Sequence, residues 1–145
     1  MALLELKNVR KGYGDIGRRT EVLDGIDLAV EEGEFVAIVG FSGSGKTTLI
    51  SLMAGLLMPD AGEVTVRGVP VTGAGPDRGL VFQSYSLMPW LTVTANVALA
   101  VDAVFKTNTR AERAARVRRY IDMVGLSHAA DRRPSTLPFA SGIPR

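Results

Sequence analysis

Apolar and polar residues alternate along three segments of the chain, at residues 4–9, 26–30 and 63–68. Such alternation is typical of β-strands that have one face on a core and the other face in water. Two further runs, at residues 34–39 and 79–82, are almost continuously apolar, which is typical of parallel strands covered on both faces. The pattern therefore predicts antiparallel strands that lead into an α/β core.

The pattern becomes helical in three places. Residues 48–57 form a predicted apolar helix that begins near Lys46 and ends at the turn at residues 59–62. A helical period returns from Leu91 onward. Residues 109–112 read as a capping box that starts a third helix, and a glycine ends it; its apolar face is predicted at Ala114, Val117, Ile121 and Val124, and its stop at Gly125.

Composition narrows the class of protein. The 145 residues, 46% of them apolar, suffice for one domain or part of one. Seventeen basic and fifteen acidic residues give a net charge of +2, too near balance for a general nucleic-acid or anionic-membrane binder. The absence of cysteine excludes disulfides and thiol chemistry and suits a reducing cytoplasm. We see no secretory signal, and the uncharged stretch 79–101 favours a strand, a loop and a helix over a membrane span.

The candidate chemistry lies at residues 40–47, which read Gly-Phe-Ser-Gly-Ser-Gly-Lys-Thr. This fits a phosphate-binding loop between a strand and a helix, in which glycines let successive N–H groups converge on phosphate oxygens. The loop predicts binding of a nucleoside triphosphate, with Lys46 on the β- and γ-phosphates and the Thr47 hydroxyl on Mg²⁺. A glycine-rich turn that binds nothing is the alternative. The predicted nucleotide-binding residues of the loop are Gly40, Ser42, Gly43, Ser44, Gly45, Lys46, Thr47 and Thr48.

Tyr13, residues 40–48 and residues 81–93 together resemble the N-terminal part of an ATP-binding-cassette (ABC) transporter nucleotide-binding subunit. Residues 87–100 resemble the branch that serves importers of nitrate, sulfonates and taurine, and residues 120–126 favour nitrate.

The resemblance extends from residue 2 to about residue 136. It implies an α/β fold: a P-loop NTPase core with an N-terminal antiparallel β subdomain and the start of a helical subdomain, in an incomplete cassette. The expected division is residues 1–85, residues 86–133 and an atypical tail at residues 134–145.

The resemblance also assigns roles to two residues outside the loop. Tyr13 matches the aromatic residue that stacks on adenine, although an edge-strand tyrosine that packs on its neighbours is the alternative. Gln83 matches the glutamine that reaches Mg²⁺ and the attacking water and whose loop senses the membrane partner. Its alternative is a polar residue at the end of a strand. Lys46 and Gln83 are thus the expected catalytic residues, and Thr47 and Gln83 the expected metal contacts.

Two surfaces are expected to serve partners or solvent. By resemblance, Trp90 and its neighbours lie near the groove that receives a short helix of the transmembrane subunit; packing inside the helical subdomain is the alternative. Five arginines lie along the third predicted helix. A solvated face is the favoured interpretation, with anionic lipid or a partner as the alternatives and nucleic acid disfavoured; these residues are Arg110, Arg113, Arg116, Arg118 and Arg119.

The function implied by the resemblance is that of an ATP-binding subunit of an ABC importer, which couples ATP binding and hydrolysis to uptake of a small anion such as nitrate, sulfonate or taurine. ATP and Mg²⁺ are the implied cofactors. The implied partners are transmembrane permease subunits, a second nucleotide-binding subunit in a homodimer and, indirectly, a periplasmic or extracellular solute-binding protein, with no nucleic acid. Such a subunit is cytoplasmic and peripheral on the inner face of the cell membrane.

The chain also departs from this family. It has no Leu-Ser-Gly-Gly signature, no apolar run ending in Asp-Glu and no switch histidine, since His128 is expected to be a surface residue. We expect the tail at residues 134–145 to reflect a frame change, a truncation after about Ser135, or a deliberate design.

These departures weaken the expectation of catalysis. By family resemblance the protein is an ATPase, but this chain alone is expected to be inactive, and a truncated, non-catalytic nucleotide-binding remnant is the alternative. A small P-loop kinase is less favoured because no lid is recognisable. Missing core strands also predict uncovered apolar faces, marginal stability and aggregation.

Overall fold

A computed structural model describes residues 2–15, 17–84 and 86–136. The chain forms two compact units, Met1–Leu80 and Val81–Arg145. The first unit contains β1 (Leu4–Tyr13), β2 (Thr20–Val30), α1 (Lys46–Met53), β3 (Ala61–Val66) and β4 (Val69–Pro70). The second contains α2 (Val93–Val104), α3 (Arg110–Met123) and 3₁₀ turns at Ser127–Ala129 and Pro134–Thr136. The domain bounds expected from the sequence stay a prediction.

The strands of the first unit form one antiparallel sheet in the order β2-β1-β3-β4. Leu6 of β1 lies opposite Leu28 of β2 on one side and Val64 of β3 on the other. The register shifts after Leu6, where Asn8 adopts a φ of 47°. A bulge of this kind keeps Val9 on the buried face although it is three residues away from Leu6.

Helix α1 packs on this sheet through the face that carries Leu49, Leu52 and Met53. Leu52 is 1% exposed and joins a core formed with the sheet. Leu49 and Met53 of the same helix pack against that core. The buried core residues are Leu6, Val9, Leu23, Leu52, Val64 and Val71. The predicted apolar helix is therefore confirmed, although it ends at Met53 and not at residue 57.

The second unit is a hairpin of α2 and α3 with its own core of Val93, Val101, Val117 and Ile121. The predicted capping box is confirmed: the Glu112 N–H donates to the Thr109 hydroxyl and the Glu112 carboxylate accepts from the Thr109 N–H. Gly125, with a φ of 69°, follows the end of α3 as predicted. Two residues predicted for its apolar face are exposed instead, namely Ala114 and Val124.

The two runs predicted as buried parallel strands are not strands in this structure. Phe35 is 92% exposed, Val39 89% and Val81 96%. A parallel strand needs hydrogen-bonding neighbours, and within the described residues the one sheet is the antiparallel β1–β4 sheet. The predicted uncovered apolar surface is found at these runs, while the predicted aggregation stays a prediction.

Some sequence-based expectations fall outside what the structure describes. Residues 137–145 of the tail and Tyr85 lie outside the described residues, and Pro134–Thr136 forms a 3₁₀ turn. No helix in the described ranges combines the length and the apolar character that crossing a bilayer requires.

Asp60 ties together three parts of the first unit. Its carboxylate accepts hydrogen bonds from the Gly12 N–H at 2.9 Å and from the Lys11 ammonium at 2.9 Å, and it pairs with the Arg19 guanidinium. The Gly12 N–H first, and then the two cations, lower the pKa of Asp60 from 3.8 to about 2. The ionised carboxylate is therefore favoured in the folded chain.

We expect Asp60→Asn to flatten the acid side of the stability profile. Because the folded-state pKa is depressed, the stability that Asp60 contributes is present above pH 3.8 and is lost as the pH falls towards 2. Urea unfolding of both proteins between pH 6 and pH 2.5, followed by circular dichroism, measures this. The wild-type free energy of unfolding should fall more steeply than that of Asp60→Asn; parallel profiles would contradict the assignment.

Candidate functional site

The predicted phosphate-binding loop leads directly into α1. Gly43 and Gly45 adopt φ values of 78° and 88°, a region that side chains rarely allow, and Gly45 is the N-cap of the helix. The Leu49 N–H bonds to the Gly45 carbonyl at 2.8 Å. In an α-helix, the N–H groups ahead of that first bond have no partner within the helix. Here they belong to Lys46, Thr47 and Thr48, so the loop ends at backbone donors suited to an anion.

The Lys46 side chain folds back over the loop. Its ammonium donates to the Gly40 carbonyl at 2.7 Å, to the Phe41 carbonyl at 2.6 Å and to the Ser44 hydroxyl at 3.3 Å. An ammonium has three N–H donors, so these contacts use all of them. The positive charge is thus held between the two ends of the loop, at the side where α1 presents the positive end of its dipole.

Two glycines leave room for this arrangement. A Cβ at Gly40 would lie 2.6 Å from the Ser44 hydroxyl oxygen. A Cβ at Gly45 would lie 2.9 Å from Val22 Cγ1 and 3.0 Å from Leu23 Cδ2, on strand β2. The close approach of the helix N-terminus to the sheet therefore depends on glycine at position 45.

Tyr13, at the end of β1, lies beside α1, the helix that follows the loop. Its hydroxyl is 3.4 Å from the Thr48 hydroxyl, within hydrogen-bonding distance. Its side chain is substantially solvent-accessible, with 45% of the residue exposed. The structure thus brings Tyr13 together with the predicted phosphate-binding residues, while its role on adenine stays a prediction.

Gln83 belongs to the second unit, where it is exposed and lies in no strand. Its predicted roles on Mg²⁺ and on water are not tested by this placement. Nor do the described parts of the chain contain a cluster of three or more His, Cys, Asp or Glu side chains that would hold a metal by themselves.

The surface around Trp90 is built by a residue that sequence reasoning missed. Trp90 is 66% exposed, so the alternative that it packs inside the subdomain is wrong. Asn96 of α2 folds the preceding turn onto the helix: it accepts from the Met88 N–H at 2.8 Å and donates to the carbonyls of Met88 and Thr92. An asparagine in the first two turns of the helical pattern that begins at Leu91 is the available signal, because that residue type competes for backbone hydrogen bonds.

The arginines of α3 do not form a single solvated face. Arg110, Arg118 and Arg119 are exposed, as predicted. Arg113 instead pairs with Asp102 of α2 at 2.7 Å, and Arg116 lies 4.0 Å from the centre of the Phe105 ring. These two side chains join the helices of the hairpin. His128 is exposed in the turn Ser127–Ala129, as predicted for a surface residue.

Comparison with known proteins places this site in a family context. The sequence pattern of the ABC transporter family matches residues 23–142. The chain is 47% identical over 133 residues to the bicarbonate transport ATP-binding protein CmpC of Synechococcus elongatus, covering 91% of this chain and 20% of that protein. It is 48% identical over 112 residues to the nitrate import ATP-binding protein NrtC of the same species, covering 77% of this chain and 17% of that protein.

A shorter relative and a solved structure extend the comparison. The bicarbonate transport ATP-binding protein CmpD of Synechocystis is 43% identical over 136 residues, which is 94% of this chain and 48% of that protein. The ATP-binding cassette MJ0796, solved as a dimer in a post-hydrolysis state with ADP and Pi, superimposes with a TM-score of 0.77 at 32% identity. That match covers 92% of this chain and 62% of the cassette. The chain thus spans half or less of these curated relatives.

We expect Gly45→Ala to destabilise the first unit more than Gly33→Ala. Both residues have positive φ, 88° and 80°, so each alanine costs about 1–2 kcal/mol of backbone strain. Only at Gly45 does the new methyl group also meet β2, which adds roughly 1–3 kcal/mol.

Urea unfolding followed by circular dichroism compares the two variants. A Cβ at Gly33 would meet no atom within 4 Å, so Gly33→Ala is the matched control for backbone strain alone. Equal losses in the two variants would show that the loop does not pack against β2 as described.

Proposed function

The chain belongs to the ABC transporter family, and we propose that its loop at residues 40–47 binds the phosphates of ATP at the N-terminus of α1. The observation that carries this proposal is the position of Lys46. Its ammonium lies within the loop, 2.7 Å from the Gly40 carbonyl and 2.6 Å from the Phe41 carbonyl. A fixed positive charge and free backbone donors therefore meet at one place, which is the combination that phosphate oxygens need.

Binding of a phosphate to Lys46 requires one exchange of hydrogen bonds. All three donors of the ammonium already have acceptors, and the Ser44 hydroxyl, at 3.3 Å, is the most distant of them. We propose that a β- or γ-phosphate oxygen takes the place of this hydroxyl. The carbonyl contacts would then continue to hold the ammonium in the loop, and the N–H groups of Lys46, Thr47 and Thr48 would face the phosphates. Gly40, Ser42 and Gly43 shape the same turn.

The residues at the start of α1 fit a magnesium nucleotide. The Thr47 hydroxyl, one residue after Lys46, would supply one neutral oxygen ligand to Mg²⁺, and phosphates and water would supply the remaining ligands, as in sites of this kind. When bound, the ion neutralises charge on the β- and γ-phosphates. Gln83 is proposed as a further contact to the ion and to the attacking water, on the strength of its sequence context.

Tyr13 is proposed as the platform for the adenine ring. Its side chain is nearly half exposed and stands beside Thr48, the last proposed phosphate contact. A base stacked on an aromatic ring gains about 1–3 kcal/mol, without a requirement for particular base edges.

For the whole protein we propose the ATP-binding subunit of an importer of a small oxyanion. The named relatives serve bicarbonate and nitrate. Both anions are small, planar and singly charged, which narrows the class of solutes that the sequence predicts. Bicarbonate is not among the solutes predicted from the sequence. Sulfonate and taurine carry larger organic groups and are not favoured by these names.

The proposed assembly follows that of a membrane importer. The surface around Trp90 would receive a short helix of a permease subunit, a second nucleotide-binding subunit would complete a homodimer, and a solute-binding protein would act on the opposite side of the membrane. The subunit would work at the cytoplasmic face. The dimeric state of the similar cassette MJ0796 supports the pairing of two subunits.

We propose that this chain binds ATP without hydrolysing it at an appreciable rate. Its 145 residues contain neither the Leu-Ser-Gly-Gly signature nor an apolar run ending in Asp-Glu. Phosphoryl transfer depends on a positioned metal ion and an oriented water molecule. A chain without these two motifs lacks residues that position them, so most of the rate enhancement is absent.

Lys46→Ala should weaken the binding of Mg·ATP. Loss of a charge-assisted hydrogen bond to phosphate costs roughly 1.5–3 kcal/mol, which corresponds to a tenfold to hundredfold increase in Kd. Isothermal titration calorimetry with wild type, Lys46→Ala and the control Lys106→Ala, an exposed lysine of the second unit, measures this.

Two results would count against the proposal. Equal affinities of wild type and Lys46→Ala for Mg·ATP would remove the loop from nucleotide binding. Steady-state ATP hydrolysis by the wild-type chain that disappears in Lys46→Ala would show that the chain is catalytic by itself.

A further inference from the structure

Asp60 completes the hydrogen-bonding of β1 beyond the end of β3. Pairing between the two strands reaches Arg10 opposite Ala61, the first residue of β3. The Asp60 N–H continues the ladder by donating to the Arg10 carbonyl at 2.9 Å. The Gly12 N–H, two residues farther along β1, then bonds at 2.9 Å to the Asp60 carboxylate and not to a backbone carbonyl. The side chain thus takes the place of the strand residue that β3 does not supply.

Two cations fix this carboxylate. The Lys11 ammonium donates to Asp60 Oδ1 at 2.9 Å, and the Arg19 guanidinium pairs with Oδ2 while also holding Glu21 at 2.7 Å. The Lys11 side chain is only 16% exposed and that of Asp60 32%, so the contact is partly shielded from water. Charge-assisted hydrogen bonds in such a setting are stronger than neutral ones. The cluster joins the end of β1, the start of β2 and the turn after α1.

Tyr13 follows Gly12 directly, so it is the residue next to this cluster on β1. Its backbone pairs with Thr20 on the β2 side, and on the β3 side the nearest support is the bond from Gly12 to Asp60. Its hydroxyl lies 3.4 Å from the hydroxyl of Thr48 on α1, whose first turn carries the proposed phosphate contacts. A shift at Gly12 would therefore move the ring relative to the loop.

We propose that Asp60 is a positioning residue for nucleotide binding, which holds the end of β1 so that the Tyr13 ring stands beside the phosphate-binding loop and stacks on the base of the nucleotide. The inference rests on the proposed function. It predicts a specific division of effects: loss of Asp60 weakens the binding of ligands that carry a base, and it spares ligands that consist of phosphates alone. A residue that only stabilises the fold would affect both classes alike.

The test compares Mg·ATP with magnesium tripolyphosphate by isothermal titration calorimetry. The proteins are wild type, Asp60→Ala, Asp60→Asn, Tyr13→Ala and the double variant Asp60→Ala/Tyr13→Ala. Asp24→Ala is the matched control, because Asp24 also pairs with a cation of β1, Arg10, at 3.1 Å, but on a more exposed side chain.

We expect Asp60→Ala to weaken Mg·ATP binding roughly tenfold, within the range for loss of one stacked base. Binding of tripolyphosphate should stay within about twofold of wild type, because the loop itself is intact. The double variant should bind Mg·ATP no more weakly than Tyr13→Ala, since both changes act through the same ring. Asp60→Asn should fall between Asp60→Ala and wild type, and Asp24→Ala should match wild type.

Several outcomes would overturn the inference. These are equal weakening of both ligands in Asp60→Ala, no weakening of either, or additive losses in the double variant. If Asp60→Ala does not unfold cooperatively in a thermal melt, the same comparison with Asp60→Asn, alone and combined with Tyr13→Ala, decides. Failure of the wild type to bind Mg·ATP in a Lys46-dependent way is a separate result: it overturns the proposed function, and the inference with it.

Discussion

The contact of the N-terminus of α1 with strand β2 is the constraint on which the rest of the site depends. A Cβ at Gly45 would overlap Val22 and Leu23, and seven residues later Leu52 fixes the same helix in the core of the sheet. The direction of α1 is therefore set at both ends by the antiparallel sheet. The first-turn N–H groups and the Lys46 ammonium take their positions from that direction, so the geometry of the loop follows from packing beneath it.

The sheet contributes to the site a second time through β1. This strand runs at the centre of the sheet, between β2 and β3, and its last residue is Tyr13. Strand β1 extends beyond the end of β3. Without the Asp60 cluster, the last residues of β1 would therefore have no hydrogen-bonding partner on the β3 side. The antiparallel sheet thus places two recognition elements of different chemistry, a phosphate loop and an aromatic ring, next to each other. The scaffold holds both elements, and they also meet directly where the Tyr13 hydroxyl lies 3.4 Å from the Thr48 hydroxyl.

What the sequence predicted well depends on local chemistry. The glycine spacing of residues 40–47 and the capping box at Thr109 and Glu112 involve residues a few positions apart, and the structure has both. The continuous apolar runs predict buried strands, but a strand forms only with a neighbour, and the described residues provide none for Phe35 or Val81. The apolar character of a residue predicted its burial correctly only where the described residues supply a strand or helix for it to pack against.

The roles of Asp60 and Asn96 escaped sequence reasoning for different reasons. Asp60 accepts a hydrogen bond from Gly12, which lies 48 positions earlier in the sequence. The turn that contains Asp60 predicts only the end of a helix. Asn96 bonds to backbone groups four to eight positions before it. The apolar residues around it predict a helix but do not indicate these side-chain hydrogen bonds. The resemblance predicts a role for Tyr13 on adenine, but no local pattern relates Tyr13 to Thr48, 35 residues away.

The central claim is that the loop between Gly40 and Thr48, carried on α1 and joined by Tyr13, is the nucleotide site of this chain. Titration of the ¹⁵N-labelled protein with Mg·ATP, followed by amide chemical shifts, tests it most directly. The account predicts that the largest shifts fall on the amides of residues 40–48 and of Tyr13, while those of α3 stay unchanged. Saturable shifts confined to other residues, or no shifts in the loop, would contradict it.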